Sequence, residues 1–462
     1  MAIMAATASN PTPTGSGANT SEYILWGRRR TVSFIGGLPS LGAVLLAPLC
    51  VGMAYASIWH FDGSFIDAFH TLLNEGPRMF VTSYLPNPKL SREGMTGYVG
   101  WLLFHAILFV VLPGKTVYGP PTPSGQRLKY TMNGLNSFIV TVLTMTALAF
   151  TGVLPLTAIA DNRAGLFAAA SAYGGFASAF AWAKGHLAPS SVEDRRFSGS
   201  LVHDILGGIE LSPRLGETFD IKLWQIGHVG MNVWAVIDIS LMAFQLRELG
   251  TFCNAMTLVV ALHMVYIIDF FIYEEWYLTT IDIAHEHFGF FLGWGSAIWL
   301  PMVYTIQTQY LAVHPIEMPW PQFAMILIAG LAGYGLFRLS NEQKYRLRRT
   351  DTPSTKGIPK LGRVIESVYT TADGKPHKSS LLLSGWWGVV RHPNYVGDII
   401  FSFCVSACTG FTHFLPWLYF TFLTTLLIHR AIRDEARCLA KHGSAWRQYC
   451  REVPWVLVPW VF

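Results

Sequence analysis

Long apolar runs constrain this chain more than any other feature. Eight stretches of mostly apolar residues recur, at 33–57, 97–113, 135–160, 164–183, 228–247, 253–273, 288–310 and 322–338. Roughly twenty such residues are what a helix needs to cross the hydrocarbon of a bilayer. Inside lipid every backbone N–H and C=O must be satisfied within the protein, so runs of this length are expected to span as helices. A further run from Asp398 to His429 is interrupted near its middle by Gly410 and Pro416, and reads as two short spans or a helical hairpin. The expected fold is an all-α polytopic integral membrane protein with about ten transmembrane helices. Composition agrees: only 13% of the 462 residues are charged, roughly half the share in soluble chains.

Basic residues set the expected orientation. Arg28, Arg29 and Arg30 precede the first run, and Lys115, Arg127 and Lys129 follow the second. Lys184, Arg195 and Arg196 follow the fourth, Lys344 to Arg349 the eighth, and Arg430, Arg433 and Arg437 the last. An even number of spans puts all of these on one side, so both ends are expected in the cytosol. The net charge of +5 expresses that bias and gives no reason to invoke nucleic acid. Residues 1–21 carry no charged side chain, and a disordered tail is expected over 1–25, without the pattern of a signal peptide. The rest divides into scaffold helices over 26–190 and a C-terminal half, 191–462, where polar residues concentrate. The six cysteines form no C-x-x-C pair and several lie in apolar runs, so neither disulfides nor zinc is expected.

Three polar segments interrupt the apolar pattern. Between Lys184 and Trp224 lie Glu210, Arg214, Asp220 and Lys222, which read either as a connector or as a structured lid whose charges pair with one another. Asp269, Tyr273, Glu274, Glu275, Trp276 and Tyr277, then Asp282, His285, Glu286 and His287, fall at the junction of two spans. Ionisable groups there are costly unless they face a cavity or each other, and a carboxylate among them can serve as a general acid. An interfacial Trp/Tyr belt is the alternative. His285 and His287 are the only close histidine pair, and no metal site is expected. Lys344 and Arg348 lie one helical turn apart, placed equally well to touch anionic lipid or to clamp a phosphate.

The last segment runs from Gly385-Trp386-Trp387-Gly388 through Arg391-His392-Pro393-Asn394-Tyr395 and Gly397-Asp398 to Arg433-Asp434-Glu435, Trp446 and Tyr449. Pro393 marks an element boundary, Asn394 offers a bidentate amide, and the Trp and Tyr rings offer stacking faces for a flat heterocycle. With no G-x-G-x-x-G, any nucleotide site here is not a Rossmann fold. This motif set, together with Gly208-x-Glu210-x-x-Pro213-Arg214-x-Gly216 and His429-Arg430, resembles the membrane sterol reductases over most of the chain. Ile268-Asp269-Phe270-Phe271, Thr280-Ile281-Asp282-Ile283 and Leu292-Gly293-Trp294-Gly295 look most like the branch that reduces a Δ7 ring double bond. The chain departs at Tyr273, where that family usually has Asn.

The resemblance implies NADPH as hydride donor, with Lys344 and Arg348 near phosphate. Around the nucleotide it implies Leu382, Trp387, Asn394, Tyr395, Asp434, Cys438, Leu439, Ala440, Lys441, His442 and Tyr449. It implies a sterol substrate drawn from the bilayer, contact with membrane lipids, and an endoplasmic reticulum location. Glu274, Tyr277 and Asp282, relayed through His285 or His287, are the expected proton donors. The same chemistry at Δ14 is the near alternative. A membrane methyltransferase using S-adenosylmethionine, whose R-H-P-x-Y pattern is similar, is an alternative of another class, and a sterol-binding scaffold a third.

Overall fold

The computed structural model describes residues 34–85, 91–350 and 362–462, with the side chains of 34–36 and 348–350 also outside that description. The expected tail, the Arg28–Arg30 cluster and the Arg348 side chain therefore lie outside the described residues. Helix α1 (Phe34–His60) leads into α2 (Phe65–Tyr84) and α3 (Arg92–Val111). A hairpin of β1 (Lys115–Tyr118) and β2 (Lys129–Met132) precedes α4 (Gly134–Phe150) and α5 (Arg163–Leu187). Then come α6 (Leu201–Gly207), the short pair β3 (Arg214–Leu215) and β4 (Phe219–Asp220), and α7 (Ile221–Leu249). Helix α8 (Asn254–Ile272) is followed by two helical turns, Glu274–Tyr277 and Ile281–Ala284. Helices α9 (Phe290–Tyr304), α10 (Ile306–Val313) and α11 (Trp320–Thr350) lead to a hairpin of β5 (Val364–Thr370) and β6 (Pro376–Leu382). Helices α12 (Pro393–Ala407), α13 (Leu418–His442) and α14 (Ser444–Glu452) complete the chain.

Seven helices among the described residues are long and apolar enough to cross a membrane, and α4 and α9 are shorter apolar helices. The fold is the expected polytopic helical one, with fewer full-length spans than the ten expected. Each shortfall has a local cause. The run 135–160 ends as helix at Phe150, ahead of a left-handed Gly152 and of Pro155. The run 288–310 divides at Thr305 into α9 and α10. The run from Asp398 reverses at Gly410 (φ 68°), so it is a hairpin of α12 and α13. Helix α2 was not expected, because its acidic and basic residues dilute its hydropathy; Ser64 caps it by accepting from the Asp67 N–H at 3.1 Å.

Two apolar clusters hold the bundle together. Leu258, Leu262, Leu311, Phe401 and Val405 join α8, α10 and α12, while Val51, Tyr55, Ile298, Tyr419 and Leu427 join α1, α9 and α13. The antiparallel hairpins, two residues to seven per strand, sit in connections, β5–β6 pairing from Val364 with Leu382 to Thr370 with Pro376. The backbone carbonyl of Pro123 accepts from the Ala372 N–H at 2.9 Å, tying the β1–β2 connection to the β5–β6 turn.

The segment between Lys184 and Trp224 is structured, but its charges pair differently from the expectation. Arg214 meets Asp220 at 3.3 Å, as expected, whereas Glu210 is buried against Lys184 at 2.9 Å. Lys222 turns to backbone carbonyls instead.

Candidate functional site

A cavity of about 1240 Å3 is lined by α1, α7, α8, α9, α11, α12, α13 and the β5–β6 hairpin. Its two ends differ in chemistry. One is walled by Leu206, Met231, Phe290, Trp299, Leu300 and Phe422; the other by Lys344, Asn394, Asp434, Arg437, Lys441 and Tyr449. The apolar end reaches the outer face of the bundle at Leu46, which lines it and is 63% exposed. Widened π-helical turns shape that end, over Trp224–Gly230 in α7 and Gly295–Tyr304 in α9. Such turns leave backbone groups out of register; here the Gln225 amide donates to the Gly293 carbonyl and, at 2.9 Å, to the Ser296 hydroxyl.

The polar end is assembled by two helices in very close contact. A Cβ on Gly397 of α12 would come within 2.4 Å of the Phe337 backbone nitrogen and 2.6 Å of the Gly333 carbonyl oxygen on α11. That approach sets Lys344 of α11 beside the first turn of α12, where Asn394 donates to Asn341 Oδ1 at 3.3 Å. Asn394 Oδ1 is buried and has no hydrogen-bond partner among the described residues. The Trp387 indole N–H donates to the Ser340 carbonyl at 2.8 Å, its own carbonyl accepts from the Tyr449 hydroxyl at 3.0 Å, and Lys344 Nζ lies 4.4 Å from its ring centre. Lys441 Nζ lies 3.9 Å from the Tyr369 ring centre, and His442 Nδ1 lies 2.7 Å from the Ser367 hydroxyl. The His392 ring stacks on Tyr395 at 4.8 Å, and burial pushes its imidazole down to about 4.

Ion pairs fill the waist between the ends. Arg430 grips both oxygens of Asp282, and Arg437 pairs with Asp434. Arg437 Nη1 also donates to His285 Nε2 at 2.8 Å, so the neutral ring carries its proton on Nδ1. Arg338 meets Asp269 at 2.9 Å with its guanidinium 3.6 Å from the Tyr273 ring centre and 3.9 Å from that of Trp276. Lys222, fully buried, donates to the carbonyls of Asp282 at 3.0 Å, Ile283 at 2.7 Å and Glu286 at 2.9 Å. It thereby fixes the turn that presents Asp282 and His285. Burial raises the Tyr277 phenol well above its ordinary value, with Asp282 adding to the rise, so Tyr277 faces the waist as a neutral hydroxyl.

The structure gathers most of the residues singled out from the sequence. Tyr277, Asp282, His285, Lys344, Leu382, Trp387, Asn394, Tyr395, Asp434, Cys438, Lys441, His442 and Tyr449 all line the cavity. Glu274, His287, Leu439 and Ala440 do not. Glu274 is buried behind the wall, accepting from the Gly134 N–H at 2.8 Å and lying 3.4 Å from His228 Nε2. His287 is buried with Nε2 3.3 Å from the Asp194 carbonyl. Sequence reasoning placed neither Arg338 nor Arg430 in the site, reading Arg430 only as an orienting basic residue and as part of the family motif. A lone Arg within an apolar run is a signal that could have found the first.

These features define a multi-pass membrane protein whose interior joins an apolar chamber to a cationic one. The chain belongs to the Ergosterol biosynthesis ERG4/ERG24 family, which it matches over residues 27–462. It is 37% identical over 450 residues to a 7-dehydrocholesterol reductase of Xenopus laevis, covering 95% of this chain and 94% of that one. To a 7-dehydrocholesterol reductase of Arabidopsis thaliana it is 34% identical over 423 residues, 91% of this chain and 96% of the other. To a Delta(14)-sterol reductase of Methylotuvimicrobium alcaliphilum it is 38% identical over 382 residues, 82% of this chain and 85% of the other.

Proposed function

We propose that the chain is an NADPH-dependent sterol reductase that saturates a ring double bond, Δ7 of 7-dehydrocholesterol-type sterols, in sterol biosynthesis. The observation that carries this reading is the cavity with two unlike ends, one suited to a rigid hydrocarbon and the other to a polyanionic nucleotide. The polar residues fit such a cofactor: the unpartnered Asn394 Oδ1 is an acceptor that a carboxamide or adenine amine would satisfy. Lys344, with Arg348 a turn further along α11, would hold phosphate. Trp387, Tyr395 and Tyr449 would border the rings, and Leu382, Asp434, Cys438, Lys441 and His442 would complete the wall. When bound, NADPH supplies a hydride. The chain's own work is to keep the sterol dry and oriented and to bring a proton to the carbon opposite. Tyr277, Asp282 and His285 border that point; Glu274 and His287, buried outside the cavity, do not. We place the protein in the endoplasmic reticulum membrane, its termini and polar mouth facing the cytosol.

Membranes carrying the chain, supplied with NADPH, should convert 7-dehydrocholesterol to cholesterol. A panel of Δ7, Δ8,14 and Δ24 sterols fixes the position reduced. Untouched 7-dehydrocholesterol beside reduction of a Δ8,14 sterol would move the activity to Δ14, a second reading favoured by the similarity to the Methylotuvimicrobium alcaliphilum relative. Lys344→Ala should raise the KM for NADPH about tenfold or more, since it removes a charged contact to phosphate.

A further inference from the structure

Among the described residues five carboxylates line the cavity: Asp269, Glu275, Asp282, Asp398 and Asp434. Four of them are neutralised by a cation. Asp269 meets Arg338 at 2.9 Å, Glu275 meets Lys115 at 2.6 Å, Asp282 is gripped by Arg430, and Asp434 by Arg437. A carboxylate held by a guanidinium or ammonium favours its anion and is a poor source of protons. Asp398 differs. It is 7% exposed, has no ion-pair partner among the described residues, and its Oδ1 is buried without a hydrogen-bond partner.

Its position joins the two ends. Asp398 lies one turn along α12 from Asn394, on the same face, so the helix that offers an amide to the nucleotide end carries this carboxyl onward. Tyr266, Tyr304 and Tyr419 stand close enough to feel its charge, as does Arg430 across the waist. An unpaired carboxylate in a wall of phenols and hydrocarbon is costly by several kcal/mol, and the neutral acid removes that cost.

We propose that Asp398 rests as the neutral carboxylic acid and is the proton donor to the sterol double bond, an assignment that rests on the sterol-reductase reading. The Asp398 O–H bond breaks as a C–H bond forms on one olefinic carbon, using the π electron pair. The other carbon takes the hydride of the reduced nicotinamide, so the sterol gains two electrons and the nicotinamide loses two. The carboxylate left behind faces Arg430 and regains its proton from water once the product has left.

The test uses the full chain in detergent or nanodiscs, as wild type, Asp398→Asn and Asp398→Glu. Without nucleotide or sterol, the wild-type infrared spectrum should show a protonated-carboxyl C=O band that Asp398→Asn removes. Because an amide replaces a neutral acid of the same shape, Asp398→Asn should keep the wild-type melting temperature and NADPH and sterol affinities. Its conversion of 7-dehydrocholesterol should fall about 100-fold or more. Asp398→Glu guards against a folding defect in the first variant: it should retain the band while losing rate through a displaced acid. Wild-type turnover in Asp398→Asn, or a spectrum it leaves unchanged, would overturn the assignment while the sterol-reductase reading stands. A wild-type chain that reduces none of the sterols would instead remove that reading and the donor role with it.

Discussion

Lys222 shows how one buried side chain can hold a site in shape without touching what binds there. An ammonium with no exposure needs all three of its donors satisfied, and the carbonyls of Asp282, Ile283 and Glu286 provide the acceptors. Lys222→Met keeps the packing and orphans those carbonyls. We expect it to lower stability by about 3 kcal/mol or more, read as thermal unfolding in detergent. Turnover should fall while NADPH affinity holds, because the displaced turn carries Asp282 and His285 and not the nucleotide wall. His392 gives a pH prediction at the same scale. Burial holds its imidazole near 4, below the ordinary 6.5, so the folded chain keeps it neutral while the unfolded chain takes up a proton. The stabilisation, about 3 kcal/mol, is complete above pH 6.5 and is lost as pH falls towards 4. Unfolding by denaturant at stepped pH should show this acid limb, and His392→Phe should flatten it.

Single residues were unevenly legible. Trp387 and Asn394 announced themselves because aromatic and amide groups crowd a short segment beside apolar runs, whereas Asp434 came into view as a hydrogen-bond acceptor and through the family resemblance. Asp282 and Arg430 are 148 positions apart, and nothing local signals that they meet. Asp398 stood within the motif, yet its isolation shows only when every other carboxylate in the cavity has been matched to a cation.

Among the elements, the seam between α11 and α12 governs how the polar end is built. Glycines at 333 and 397 let the two backbones approach as small residues do between membrane helices. Gly397→Ala should wedge them apart at a cost of roughly 1–3 kcal/mol. It should also weaken NADPH binding, measured by fluorescence titration, more than sterol binding, since Lys344 and Asn394 lie on opposite sides of the wedge. The helical elements were the most readable part of the sequence, because a window of apolar residues is a local property. The hairpin at Gly410 was readable too, from the residues that make the turn. The β5–β6 hairpin was not: its seven-residue strands carry no clean alternation in sequence, and beyond their own ladder they are held by packing on α11, α13 and α14.

At the scale of the whole molecule, the proposed orientation has a direct check. In sealed microsomes a tag after Phe462 should be cut by added protease without detergent, together with any tag ahead of Met1; protection of either would reverse the orientation argued from the basic residues. The count of spans could not be read at this scale, because Gly and Pro split apolar runs into partial helices that no window distinguishes from whole ones.

Leu46 places the mouth of the apolar chamber on the outside of the bundle, among the residues that would meet lipid. If the hydrocarbon partner arrives there, its effective concentration is its mole fraction in the bilayer, and the volume of the assay is irrelevant to it. Adding inert phospholipid at constant total sterol should then dilute the reaction in two dimensions and slow it, while leaving the response to NADPH untouched. The rate would depend as much on how the membrane is composed as on how much substrate it holds.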